Sequence, residues 1–88
     1  MKGQINRGDT LGDLIYDMCK QDDISSIVEI GTHNGLGTTK CIYDSIIEND
    51  KKNYDVYSIE SSDMYYQIAL QNVPKIDNFN IILGRIID

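Results

Sequence analysis

Two carboxylates and three glycines carry the chemistry that this 88-residue sequence could do. Glu29 is followed closely by Gly31-Thr32-His33-Asn34-Gly35-Leu36-Gly37, and Glu60 lies 29 residues beyond Gly31. Glycine has no side chain and tolerates positive φ, so backbone amides in such a turn can approach a ligand closely. From Thr38 the apolar positions Cys41, Ile42, Ile46 and Ile47 recur at helical spacing, so the turn feeds a helix whose first N–H groups point back at the loop. That arrangement makes a cofactor crevice. Glu60 ends a second strand-like stretch, the place where open α/β sheets bind ligands, and one carboxylate there can hold both hydroxyls of a ribose. Glu29 sits inside an apolar strand, where a carboxylate is costly without donors. Those donors are loop amides, a ligand ammonium or water; an acid that only braces the loop is an equal alternative. A lone histidine in such a loop shapes it or packs against a ligand, so His33 receives no catalytic role.

The glycine spacing narrows the ligand. A dinucleotide fingerprint, G-x-G-x-x-G, needs glycine where His33 stands, and starting it at Gly35 and Gly37 puts Lys40 at the third position. The segment Glu29-Ile30-Gly31-Thr32-His33-Asn34-Gly35-Leu36-Gly37-Thr38 instead resembles the first motif of class I S-adenosylmethionine (SAM) dependent methyltransferases. The form is that of the catechol O-methyltransferase-like enzymes. His33 replaces the third glycine of the commoner pattern, as a larger residue often does in this subgroup. Ile59-Glu60-Ser61-Ser62-Asp63 is similar to the family's acidic segment after its second strand. The resemblance implies SAM as cofactor, with Glu60 on the ribose, Ser61 near the adenine and Glu29 ordering the methionine end. Gly31, Thr32, His33 and Gly35 complete the expected cofactor-binding set. Arg85 stands where many members carry an acidic or small residue.

The elements that must position these residues follow in order. A polar arm over residues 1–8 precedes a helix capped by Asp9 or Thr10 and running to about Lys20, with Leu11, Leu14, Ile15, Met18 and Cys19 on one apolar stripe. Ser26-Ile27-Val28-Glu29-Ile30 is rich in β-branched residues and suits a strand covered on both faces. A helix over 38–48, a strand over 54–59 and a helix over 64–72 follow. Ser62 or Asp63 caps that third helix, which offers Met64, Ile68, Tyr65 and Ala69 to the sheet before Pro74 stops it. Residues 80–83 form a third strand, stopped by Gly84. The alternation predicts an α/β, Rossmann-like three-layer half-domain with a parallel sheet of order 3-2-1 and flanking helices.

Composition bounds the rest. With 41% apolar and 25% charged residues the chain is an ordinary globular sequence, one domain with a modest core. Eleven of its fourteen acids are aspartates, the net charge is −6, and no basic cluster would neutralise phosphates, so no nucleic-acid partner is indicated. Cys19 and Cys41 fall on apolar helix faces without metal-ligand spacing and read as buried thiols, and no metal is expected. No apolar run suits a membrane span or an export signal, which makes the cytoplasm the default.

The family's acceptor, metal and base residues come from later strands, so the resemblance covers the front half of its fold. The end at Ile86-Ile87-Asp88, without a helix stop or polar tail, suggests a fragment. The expected function is the SAM-binding portion of a methyltransferase with an unassigned methyl acceptor. The alternatives are a complete small SAM-binding or SAM-cleaving protein acting as an oligomer, and a non-catalytic binding module. With order 3-2-1 the first strand is an open edge, and self-association through it is expected.

Overall fold

A computed structural model describes residues 5–85. Its elements are α1 (Thr10–Cys19), β1 (Ser26–Ile30), α2 (Thr38–Glu48), β2 (Asp55–Glu60), α3 (Asp63–Asn72) and β3 (Phe79–Leu83). The three strands are parallel in the order β1-β2-β3, with Val28 beside Tyr57 and Ile59 beside Ile82. This is the Rossmann-like α/β half-domain that the element order implied. The second strand lies one residue later than the apolar patterning suggested, and the third begins one residue earlier. Residues 86–88, on which the fragment expectation partly rested, lie outside the described residues.

The core lies between the helices and one face of the sheet. Ile42 and Ile46 of α2 pack with Val56 and Cys19, and Ile15, Ile27 and Phe79 close around them. The other sheet face is bare: Val28 is 66% exposed and Ile30 60%, while Glu29 between them is buried. The expectation that β1 is covered on both faces is therefore not met. An apolar run does not say which of its faces will find a partner, and among the described residues the helices supply one layer.

The stripe on α1 divides for a similar reason. Ile15 and Cys19 turn toward the core and Gly12 packs against Asn6, but Leu11, Leu14 and Met18 are about half exposed. In α2, Ile47 is exposed and Tyr43 takes a buried place; in α3, Met64 is exposed and Ala69 is fully buried. Asp9 stands at the N-cap of α1 but makes no side-chain cap there, and its carboxylate instead accepts from the Asn6 N–H at 3.0 Å. Ser62 caps α3 as expected, accepting from the Tyr65 N–H. Residues 5–8 fold back onto the helices: Arg7 bonds Asp44 at 2.8 Å, reaches Glu48, and lies over the Tyr16 ring.

Lys51 fixes where α1 ends and β1 begins. Its ammonium, on a residue only 8% exposed, donates to the carbonyls of Cys19 at 2.6 Å, Gln21 at 2.8 Å and Ile24. The last carbonyls of a helix lack intrahelical donors, and a cation satisfies them and the negative end of the helix dipole together. Replacing Lys51 by methionine should cost about 3 kcal/mol in urea unfolding, because charged hydrogen bonds are lost and buried carbonyls are left unpaired. Lys52→Met, which removes an exposed partner of Asp50, should leave the urea midpoint essentially unchanged. Similar losses at the two positions would rule out this role for Lys51.

Candidate functional site

The site is built at the carboxyl ends of β1 and β2. Gly31 leaves β1 with φ 91°, His33 follows at 55° and Gly35 at 79°, so alternate residues of the loop are left-handed. Glycine meets no steric penalty there, and histidine meets a modest one. The turn closes through the Gly35 N–H on the Thr32 carbonyl at 3.1 Å, and Gly37 then leads into α2.

Glu60 ties this loop to the next one. One of its oxygens accepts from the His33 N–H at 2.6 Å and the other from the Ser62 N–H at 2.9 Å, on a residue only 7% exposed. The carboxylate thus spans the loop after β1 and the turn into α3. Each oxygen keeps acceptor capacity beyond the bond it makes. The His33 ring lies against Tyr65, with centroids 4.0 Å apart.

Two cavities meet at Gly31. One of about 280 Å³ is lined by Gly31, Thr32, His33, Gly37, Thr38 and Glu60, with Ile5 from the N-terminal arm on its wall. The other, of about 290 Å³, is lined by Ile30, Gly31, Ile59, Ser61, Gly84 and Arg85. No atom lies within 4 Å of where a Gly31 Cβ would stand. Of the residues singled out in the sequence, Gly31, Thr32, His33 and Glu60 share the first cavity and Ser61 borders the second. Gly35 lies apart from both, against α3: a Cβ there would come within 2.7 Å of Val73.

Glu29 lies beneath the loop. Its Oε1 accepts from Thr39 Oγ1 and Ser58 Oγ, both at 2.5 Å, and Ser58 Oγ also bonds Thr32 Oγ1 at 2.6 Å. Glu29 Oε2 is buried with no hydrogen-bond partner among the described residues. Burial pushes the Glu29 carboxyl above the ordinary glutamate range, the Ser58 and Thr39 hydroxyls pull it back, and the charge of Glu60 raises it further. Sequence reasoning missed Ser58 and Thr39. The signal for Ser58 was its period-2 placement between Val56 and Glu60, which puts three residues of β2 on the covered face. Both cysteines are free and buried, with thiols pushed up by that burial, as expected.

No model of a known protein family matches the chain, and a comparison with curated proteins finds no match. Among the described residues no group of histidine, cysteine and acidic side chains could hold a metal ion. No helix among them is long and apolar enough to cross a membrane.

A carboxyl whose titration is raised in the folded state binds its proton more tightly there than in the unfolded chain. Its contribution to stability is complete below the ordinary glutamate range and is lost as pH rises through the raised value. Urea unfolding across that window should show the wild type losing stability relative to Glu29→Gln as pH rises. A difference independent of pH would place Glu29 titration in the ordinary range.

Proposed function

We propose that this chain is the SAM-binding part of a class I methyltransferase, with Glu60 on the ribose hydroxyls, Ser61 toward the adenine, and residues 31–35 with Glu29 around the methionine end. The observation that carries the proposal is Gly31 standing between two cavities, one closed by Glu60 and the loop amides and the other bordered by Ser61. An elongated ligand with a nucleoside at one end and an amino acid at the other suits two compartments joined at a residue without a side chain. Bound SAM would supply an activated methyl group, and this chain would hold and orient the donor for in-line transfer. The acceptor and the groups that grip it belong to other residues of the enzyme. The cytoplasm, where SAM chemistry is supplied with cofactor, is part of the same proposal.

Calorimetry with S-adenosylhomocysteine tests it. Glu60→Ala should weaken binding by about 1.5 to 3 kcal/mol, the range for hydrogen bonds to a charged group, while Gln71→Ala on the exposed face of α3 should leave it unchanged. Gly31→Val should abolish binding, because a β-branched side chain resists φ 91° and fills the space between the cavities. Circular dichroism on each variant separates lost binding from lost folding. No binding by the wild type, or equal losses at Glu60 and Gln71, would refute the assignment.

We also infer that the 88-residue chain pairs with a second copy along β1. Ser25 accepts from the Asp55 N–H and the Gly31 N–H bonds Ile59, so the period of two turns the backbone groups of Ser26, Val28 and Ile30 to the open edge. A twofold axis at Val28 would let two copies exchange these bonds in antiparallel register. Sedimentation should show a concentration-dependent dimer, and Val28→Lys should shift it to monomer. A wild-type monomer throughout the accessible concentration range would overturn the pairing.

A further inference from the structure

Four side chains from four parts of the fold form one buried hydrogen-bonded group beneath the cleft: Glu29 of β1, Ser58 of β2, Thr39 of α2 and Thr32 of the loop. The group contains one titratable carboxyl and three hydroxyls, and two complete proton arrangements fit its geometry. With Glu29 charged, Ser58 and Thr39 both donate to Oε1, and Thr32 donates to Ser58. All three hydroxyl protons then point toward the carboxylate. With a proton on Oε1, Glu29 donates to the Ser58 oxygen and Ser58 donates to Thr32. Thr39 then turns to the Thr32 carbonyl, already within 3.3 Å. A hydroxyl rotates to suit its partners, so the exchange needs no heavy-atom movement.

We propose that Glu29 is a proton-linked relay for the cleft, gaining and losing its proton with occupancy and reversing the donor direction of Ser58 and Thr32 as it does so. Thr32 is among the residues lining the cleft while only 2% exposed, so the reversal acts on an occupant from just behind the cleft wall. While Glu29 is charged, the Thr32 proton is held inward and its oxygen is left as an acceptor; once Glu29 is neutral, that proton is released for donation. A ligand ammonium favours the first state and discharges the proton of Glu29 to solvent on binding.

The electrostatic setting raises the proton affinity of Glu29. Glu29 is buried, its Oε2 has no donor among the described residues, and the charge acting on it is the like charge of Glu60 on β2. From α1 the Cys19 thiol feels the same carboxylate and brings no positive charge. α2 and the loop contribute hydroxyls through Thr39 and Thr32. A cationic ligand is the group that would tip this balance.

The direction of the linkage rests on the proposed amino-acid end of the ligand, whereas the relay itself rests on the protein alone. Two measurements keep them apart. Calorimetry at about pH 6, where ligand amines are fully protonated, is run in two buffers of different ionisation enthalpy. S-adenosylhomocysteine should release a measurable fraction of a proton from the wild type and none from Glu29→Gln. Adenosine, which lacks the amino acid, should release none from either. Carboxyl-carbon NMR of the free protein should show Glu29 titrating above the exposed carboxylates, with the Ser58 and Thr32 resonances moving in the same step. Binding of S-adenosylhomocysteine without proton release, or equal release from Glu29→Gln, overturns the relay. So does a Glu29 step in the ordinary range, whatever binds. A raised, coupled step with no binding heat overturns the ligand assignment and supports the relay.

Discussion

The Glu60 carboxylate between the N–H groups of His33 and Ser62 is the constraint on which the site depends. Two loops that follow neighbouring parallel strands emerge side by side, and nothing in the strands themselves fixes the gap between them. One acidic side chain at the end of β2 does so, because a carboxylate has two oxygens set apart at a fixed distance and each takes a different amide. The left-handed loop is thereby held against the sheet, and the cavity on either side of Gly31 acquires a defined wall. A hydrogen bond to a carboxylate is stronger than one between neutral groups, which suits a side chain that has to hold two loops in place.

Much of this was legible in the sequence. The six elements follow from two periodicities, three glycines and one proline, and the parallel order follows from helical connections long enough to cross over. Glu60 could be found because an acid at a strand end beside a glycine loop is unusual chemistry for a turn. Ser58 and Thr39 could not be singled out so easily, since a small hydroxyl side chain is equally at home in a strand, at a helix start or in solvent. Their role comes from meeting Glu29 in three dimensions. Lys51 was invisible for a related reason: lysine among charged neighbours looks solvated, and only the approach of three carbonyls from 27 to 32 residues upstream draws it inside.

The apolar pattern misled where it met one-sided packing. β1 carries branched residues on both faces, and α1 carries a stripe wider than its contact with α2, so hydrophobicity alone overstated how much of each is covered. Val28, Ile30, Leu11, Leu14 and Met18 are left exposed by a sheet with helices packed on one side. Large exposed apolar surface is uncommon on a self-sufficient monomer. Val28 and Ile30 belong to β1 itself, whose outer edge is unpaired among the described residues, so there the polar backbone and the apolar side chains that want covering lie on one strand.

The clamp of α3 on the glycine loop has a kinetic consequence. The Asn72 side chain donates to the Asn34 carbonyl across 38 residues, and Val73 and Ala69 press on Gly35. The loop therefore reaches its final shape only after a long stretch of chain has been closed, and that closure is an entropic cost met before the contact rewards it. The bonds that join Arg7 to Asp44 and Tyr16 to Glu48 span comparable lengths of chain, so the final form of the glycine loop belongs to the assembled domain and not to any local segment.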